Sequence, residues 1–149
     1  MAYRGYYQLE HPEKYLGKTD RVRYLSLWER NVIKTFDRSK YILQWVAPTG
    51  NMDFTIPYIS PVDGMAHRYI PDFMALVKQR NGELVKFLIE VKPENQTKPP
   101  KLPKSGRKTK KWQRAMVTYA INRAKWDAAR LWCEKNGFIW KVMTEVEVA

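Results

Sequence analysis

One cysteine, two histidines and no long apolar run stand out as shortages in this chain, and each excludes something. A single thiol, Cys133, cannot form an internal disulfide, so packing must hold the fold and a reducing cytoplasm suits it. It lies in a helical pattern between Trp132 and Glu134, which reads as a buried or half-buried structural thiol. No stretch reaches the ~20 apolar residues that span a bilayer, so no membrane partner is expected. The opening Met1-Ala2-Tyr3-Arg4-Gly5-Tyr6-Tyr7 lacks the apolar core of a secretory signal peptide, and retention where the protein is made is expected. Acidic residues are scarce as well, with 15 Asp and Glu against 27 Lys and Arg, for a net charge of +12. Residues 95–126 contain no Asp or Glu but carry ten cations, which is +10 of that +12. The excess is therefore local, and it points to a polyanionic partner more than to general solubility.

What is present belongs to a folded protein. A chain of 149 residues that is 44% hydrophobic and has six Trp can bury a core, and its length fits one domain over residues 1–149. Residues 1–25, Tyr-rich and interrupted by Pro12 and Gly17, read as an N-terminal strap lying on that core. Ser26-Leu27-Trp28-Glu29 matches a capping box, and Leu25, Trp28, Val32 and Phe36 follow at helical spacing. A helix of about 12 residues ending near Arg38-Ser39 is expected. Residues 41–47 suggest a strand, and 54–59 a second in which Pro57 argues for an edge or a break.

Residues 67–77 read as one strand, Asn81-Gly82 as a hairpin signal, and Leu84 to Val91 as the returning strand. Pro93, Pro99, Pro100 and Pro103 then predict a stiff, extended, basic connection over 94–111. A long helix from about Thr109 or Lys111 to Asn136 follows, with Met116, Ala120, Ala124, Ala128, Leu131 and Trp132 on its inner side. Gly137 stops it, and residues 138–143 form a last strand. The predicted fold class is α/β, in the order α-β-β-β-α-β. The final strand should lie parallel within a central mixed sheet, with helices on both faces.

Charged residues interrupt two of the most apolar strands. Phe87-Leu88-Ile89-Glu90-Val91-Lys92-Pro93 places Glu90 and Lys92 on one strand face, because side chains alternate. Asp72, after Pro71, should reach the same edge from the strand before. An ordinary surface pair and turn chemistry are the plainer readings of these residues. Two neighbouring carboxylates repel, however, and one protonates unless a cation holds them. Mg²⁺ takes carboxylate oxygens and keeps places for water and phosphate. Lys92 beside it would orient the attacking water or stabilise charge on the phosphate, so phosphodiester hydrolysis is the reaction these parts suit.

Pro71-Asp72 with Glu90-x-Lys92 resembles the signature of the PD-(D/E)xK nuclease superfamily. That resemblance implies a restriction-endonuclease-like core, catalysis by Asp72, Glu90 and Lys92, and Mg²⁺ held by the acids, with Mn²⁺ able to substitute. Many such nucleases add a Glu on the first helix, and Glu29 stands there, in competition with its capping role. Asp72, Glu90 and Glu29 are thus the expected metal ligands. Longer stretches resemble the head completion proteins, or head closure nucleases, of contractile-tailed phages. They include Met1-Ala2-Tyr3, Trp28-Glu29, Ile56-Pro57-Tyr58, Arg68-Tyr69, Ile89-Glu90-Val91-Lys92-Pro93 and Gln96-Thr97. Tyr119-x-x-Asn122-x-x-Lys125-Trp126-x-Ala128-Ala129, with Glu134-Lys135, Gly137 and Thr144-Glu145, continues the match and is also similar to a transposon endonuclease subunit.

The resemblance implies action on filled phage heads before tail attachment, in virion and infected bacterial cytoplasm, with portal or neck proteins as candidate partners. A structural DNA- and portal-binding plug and a transposition or repair endonuclease remain alternatives. Lys98, Lys101, Lys104, Arg107, Lys108, Lys110, Lys111 and Arg114 are the expected phosphate contacts, reading no sequence. Trp112 is either a base-stacking group or the first anchor of the long helix, and His67 is read as a partly exposed strand residue.

Overall fold

The computed structural model describes residues 4–144, so residues 1–3 of the expected strap and Glu145 of the matching pattern lie outside the described residues. Helix α1 is Leu27–Arg38, with Ser26 as its N-cap. Ser26 Oγ accepts the Glu29 N–H at 3.1 Å, while the Glu29 carboxylate accepts the Leu25 N–H at 2.8 Å, one residue earlier than in a standard capping box. Short strands β1 (Gly5–Tyr6) and β2 (Arg23–Tyr24) pair antiparallel ahead of α1. The segment around them is pinned down at both ends of a charged latch. Asp37, fully buried, accepts the backbone N–H groups of Glu10 and His11 at 2.8 and 3.0 Å. Lys14 Nζ donates to the carbonyls of Phe36, Asp37 and Ser39, groups the C-terminus of α1 leaves without helical partners.

The central sheet has the order β3-β6-β7-β8, from β3 (Ile42–Val46), β6 (Phe73–Lys78), β7 (Leu84–Val91) and β8 (Phe138–Met143). β6 runs antiparallel to both β3 and β7, and β8 joins β7 in parallel after helix α2 (Lys110–Asn136). Alternation along β7 divides the core. Ile89 and Val91 pack with Phe73, Ala75, Trp45 and the α1 residues Val32, Ile33 and Phe36. Leu88 faces the opposite side, against Trp126, Ala129 and Cys133 of α2. The sheet thus has a helix on each face, as expected of a parallel crossover.

Three expectations need correction. Residues 67–77 are not one strand: β5 (Ala66–Tyr69) ends before Pro71, and β6 begins at Phe73. Pro71 has no N–H to give a ladder, so pairing is interrupted there. β5 instead pairs with β4 (Ile56–Ile59) as a separate two-stranded unit, with Pro57 opposite Arg68. The inner side of α2 is also rotated from the expected stripe. Its buried residues are Asn122, Trp126, Ala129 and Cys133, whereas Leu131 is 57% exposed. Ala124, Ala128 and Trp132 pack partly against that cluster, and apolar side chains on every face of α2 blur the period. The basic connection also departs from a plain extended chain. Residues Glu94–Gln96 form a 3-10 turn, and the Gly106 N–H bonds the Pro103 carbonyl at 2.8 Å in a second turn.

The punctuation of the sequence holds elsewhere. Gly82 adopts φ 88° in the β6–β7 turn, where Asn81 Oδ1 accepts the Glu83 N–H at 3.0 Å. Thr109 caps α2 by accepting the Trp112 N–H at 3.1 Å, and Gly137 ends it in the left-handed region at φ 74°.

Candidate active site

The antiparallel register of β6 and β7 pairs Phe73 with Ile89, which brings Asp72, one residue earlier, level with Glu90. Asp72 Oδ2 accepts the Val91 N–H at 2.8 Å, a side-chain bond just beyond the β6–β7 ladder. Its carboxyl is hydrogen-bonded to that of Glu90. Glu90 shares the α2 side of the sheet with Leu88 and is only 5% exposed. There its Oε2 receives the Tyr69 hydroxyl at 2.8 Å and the Trp126 indole N–H at 3.3 Å. Both donors come from elements that cover this face, β5 and α2. Lys92 follows Glu90 at the same parity, half-buried, and its backbone N–H continues the parallel ladder to the Met143 carbonyl at 3.0 Å.

Two acids pressed together in a poorly solvated place cannot both ionise at neutral pH. Burial, above all, pushes the Asp72 carboxyl up to about 8, and the hydrogen bond and charge of Glu90 add to this. The Val91 N–H and the Lys92 charge pull it the other way. The Tyr69 hydroxyl is driven far above its ordinary range, first by burial and then by the Glu90 charge, so it stays protonated and donating.

This pair is a concentrated set of oxygen donors that requires either a proton or a cation, and oxygen donors are what Mg²⁺ and Mn²⁺ take. Asp72 and Glu90 therefore fit a hard divalent ion. The structure brings Asp72, Glu90 and Lys92 together as expected. It does not bring Glu29 to them: that carboxylate is turned to the Leu25 N–H just ahead of α1, and α1 packs on the opposite sheet face. Among the described residues, no group of three His, Cys, Asp or Glu side chains is placed to hold a metal ion.

Tyr69 and Trp126 stand in matching stretches of the sequence, yet no role was expected of them. Their only signal is that both carry a polar tip on a body suited to burial. Lys125 was missed too; its Nζ lies over the rings of Tyr58 and Tyr69 at 5.9 and 5.7 Å. His67 is exposed, and its Nε2 lies 2.8 Å from Asp63 Oδ2. Cys133 is buried, which pushes its thiol up to about 11, as a structural thiol should be. The eight basic residues expected to meet phosphates are all exposed, from Lys98 on the loop to Arg114 in the second turn of α2. Trp112 proves an anchor: its indole N–H bonds the Pro100 carbonyl at 3.3 Å and ties the loop to α2.

A mixed sheet with a helix on each face, and two acids with a lysine at the ends of adjacent central strands, define a nuclease-like α/β domain. The chain belongs to the family described as TnsA-like endonuclease N terminal, whose model matches residues 38–145. The matched span contains Asp72, Glu90, Lys92 and α2 but begins after Glu29. The chain is similar, at 31% identity over 147 residues, to the head completion nuclease of Enterobacteria phage T4. That alignment covers 97% of this chain and 93% of the phage T4 protein.

Proposed function

We propose that this protein is a divalent-cation-dependent DNA endonuclease that serves the completion of phage heads after packaging and before tail attachment. The observation that carries the reading is the hydrogen-bonded Asp72–Glu90 pair with Lys92 beside it, inside the span matched by an endonuclease family. The name of the phage T4 relative and the coverage of 97% of this chain and 93% of that protein support the head-completion setting, in the infected host and the virion. Asp72 and Glu90 would hold Mg²⁺ or Mn²⁺, which supplies Lewis-acid stabilisation of the phosphate and a more acidic water.

The chain's own groups prepare that reaction. Tyr69 and Trp126 fix the Glu90 carboxylate by two hydrogen bonds, so its orientation is set in advance. The Val91 N–H does the same for Asp72. Lys92 brings a positive charge to the carboxylate pair, where it orients the attacking water and stabilises the charge that grows on the phosphate. Glu29 would join Asp72 and Glu90 as a third carboxylate by giving up its capping bond to the Leu25 N–H. The exposed lysines and arginines of 98–114 hold the DNA backbone without regard to sequence. Closed circular duplex incubated with the purified chain should be linearised or nicked with Mg²⁺ and left intact with EDTA. Equal results in both, or no cutting in either, would overturn the reading.

A further inference from the structure

A cleft is built from two of the elements that lead to the candidate site. It has a volume of about 870 Å³ and lies between the loop after β7 and the N-terminal half of α2. Glu94, Lys98, Pro100 and Lys101 form one wall, and Tyr119 and Asn122 the other. Both walls lead directly to the candidate site. Glu94 is two residues beyond Lys92. Asn122 is one helical turn before Trp126, whose indole donates to Glu90. A strand with a phosphate at Asp72 and Glu90 would therefore continue into this cleft.

Asn122 is the feature that asks for a ligand. It is only 6% exposed and lines the cleft; its side-chain amide makes no hydrogen bond to a described residue and is not fully enclosed, so it opens onto the cleft. Both of its functions, a donor and an acceptor, are therefore available to a group bound in the cleft. The walls add what a nucleotide needs besides an amide. Lys101 is exposed at the rim, Lys98 pairs with Glu94 at 3.7 Å, and Tyr119 presents a half-buried ring on which a base can stack. The volume lies within the ~300–1,000 Å³ of small-ligand sites. It suits unpaired nucleotides.

We propose that this cleft holds unpaired nucleotides next to the bond that is cut, with Asn122 bonding a base edge and Lys101 a phosphate. The inference rests on the nuclease reading, and it names the substrate class: DNA that is single-stranded beside the cut, as at a frayed end, a gap or an overhang. The donor–acceptor pair on one amide matches the adjacent donor and acceptor on base edges. Strand separation costs least where the DNA is already unpaired.

The test is anisotropy of the full chain in EDTA with two labelled probes, a short oligothymidine and a hairpin duplex carrying the same number of phosphates. The wild type should favour the oligothymidine by about tenfold or more. Asn122→Leu should lose about tenfold on that probe alone, with a melting temperature equal to or above that of the wild type. Asn122→Ser, measured in parallel, should show the same selective loss if Leu disturbs packing. Equal binding of both probes, or an equal loss on both, would overturn the proposal. Cutting is read separately with Mg²⁺. Strand preference in EDTA without cutting in Mg²⁺ overturns the nuclease reading alone, and cutting without strand preference overturns the cleft alone.

Discussion

Replacing Asp72 by Asn should flatten the pH dependence of stability in the cation-free protein. Burial and the adjacent Glu90 raise the Asp72 carboxyl to about 8, against 3.8 for the ordinary group. Between those values the folded chain binds more protons here than the unfolded chain does. Stability contributed by the protonated pair is thus complete below the unfolded value and is lost as pH rises through the folded one. The slope from one such group is at most about 1.4 kcal/mol per pH unit, so pH 5 to 7 removes up to about 2.7 kcal/mol. For a chain of this size that is a fall in melting temperature of roughly 5–11 °C. Asp72→Asn keeps the shape and removes the shared proton, and its melting temperature should vary less over the same interval. Thermal melts followed by circular dichroism in EDTA at several pH values measure this. Saturating Mg²⁺ should oppose the wild-type decline, since ion and proton compete for the same oxygens. Parallel melting curves for wild type and Asp72→Asn across pH 5–8 would refute the reasoning.

Other consequences are as direct. Tyr69→Phe removes the 2.8 Å donor from Glu90 and should weaken divalent-ion affinity by about 10–100-fold, measured by titration calorimetry, with little change in fold. Asp37→Ala strips the buried acceptor of the Glu10 and His11 N–H groups. It should cost about 1–3 kcal/mol in urea unfolding, while the folded fraction keeps its cleavage rate. Neutralising Lys101, Lys104 and Lys108 together should weaken all duplexes alike and reduce the slope of log affinity against log salt by about 0.9 per charge.

How far the sequence discloses this molecule depends on the range of the interactions involved. The capping of α1 by Ser26, the Asn81-Gly82 turn and the Gly137 stop are local devices, and each was legible. The parity of Glu90 and Lys92 is a property of any strand, so the core of the site followed from β7 alone. Less local matters were hidden. Pro71 breaks what hydropathy joins, and the freed β5 turns out to supply Tyr69 to Glu90 from outside the central sheet. The inner face of α2 is settled by packing against Leu88 and β4, where Asn122 and Trp126 win over the better apolar stripe. Neither Trp126 nor Lys125 could be tied to the site until α2 had a rotation. Glu29 shows the converse. Its sequence position allowed two roles, and the structure displays the capping one.

Single-turnover cleavage of duplex DNA in Mg²⁺ by Lys92→Met, alongside DNA binding by the same variant in EDTA, tests the central claim most directly. Lys92 is half-buried at the site and apart from the exposed basic loop, so binding should stay within a few-fold of the wild type. The cleavage rate should fall by about 10³-fold, as expected when a group acting on the transition state is removed. A Lys92→Met protein that binds and cuts like the wild type would contradict the account.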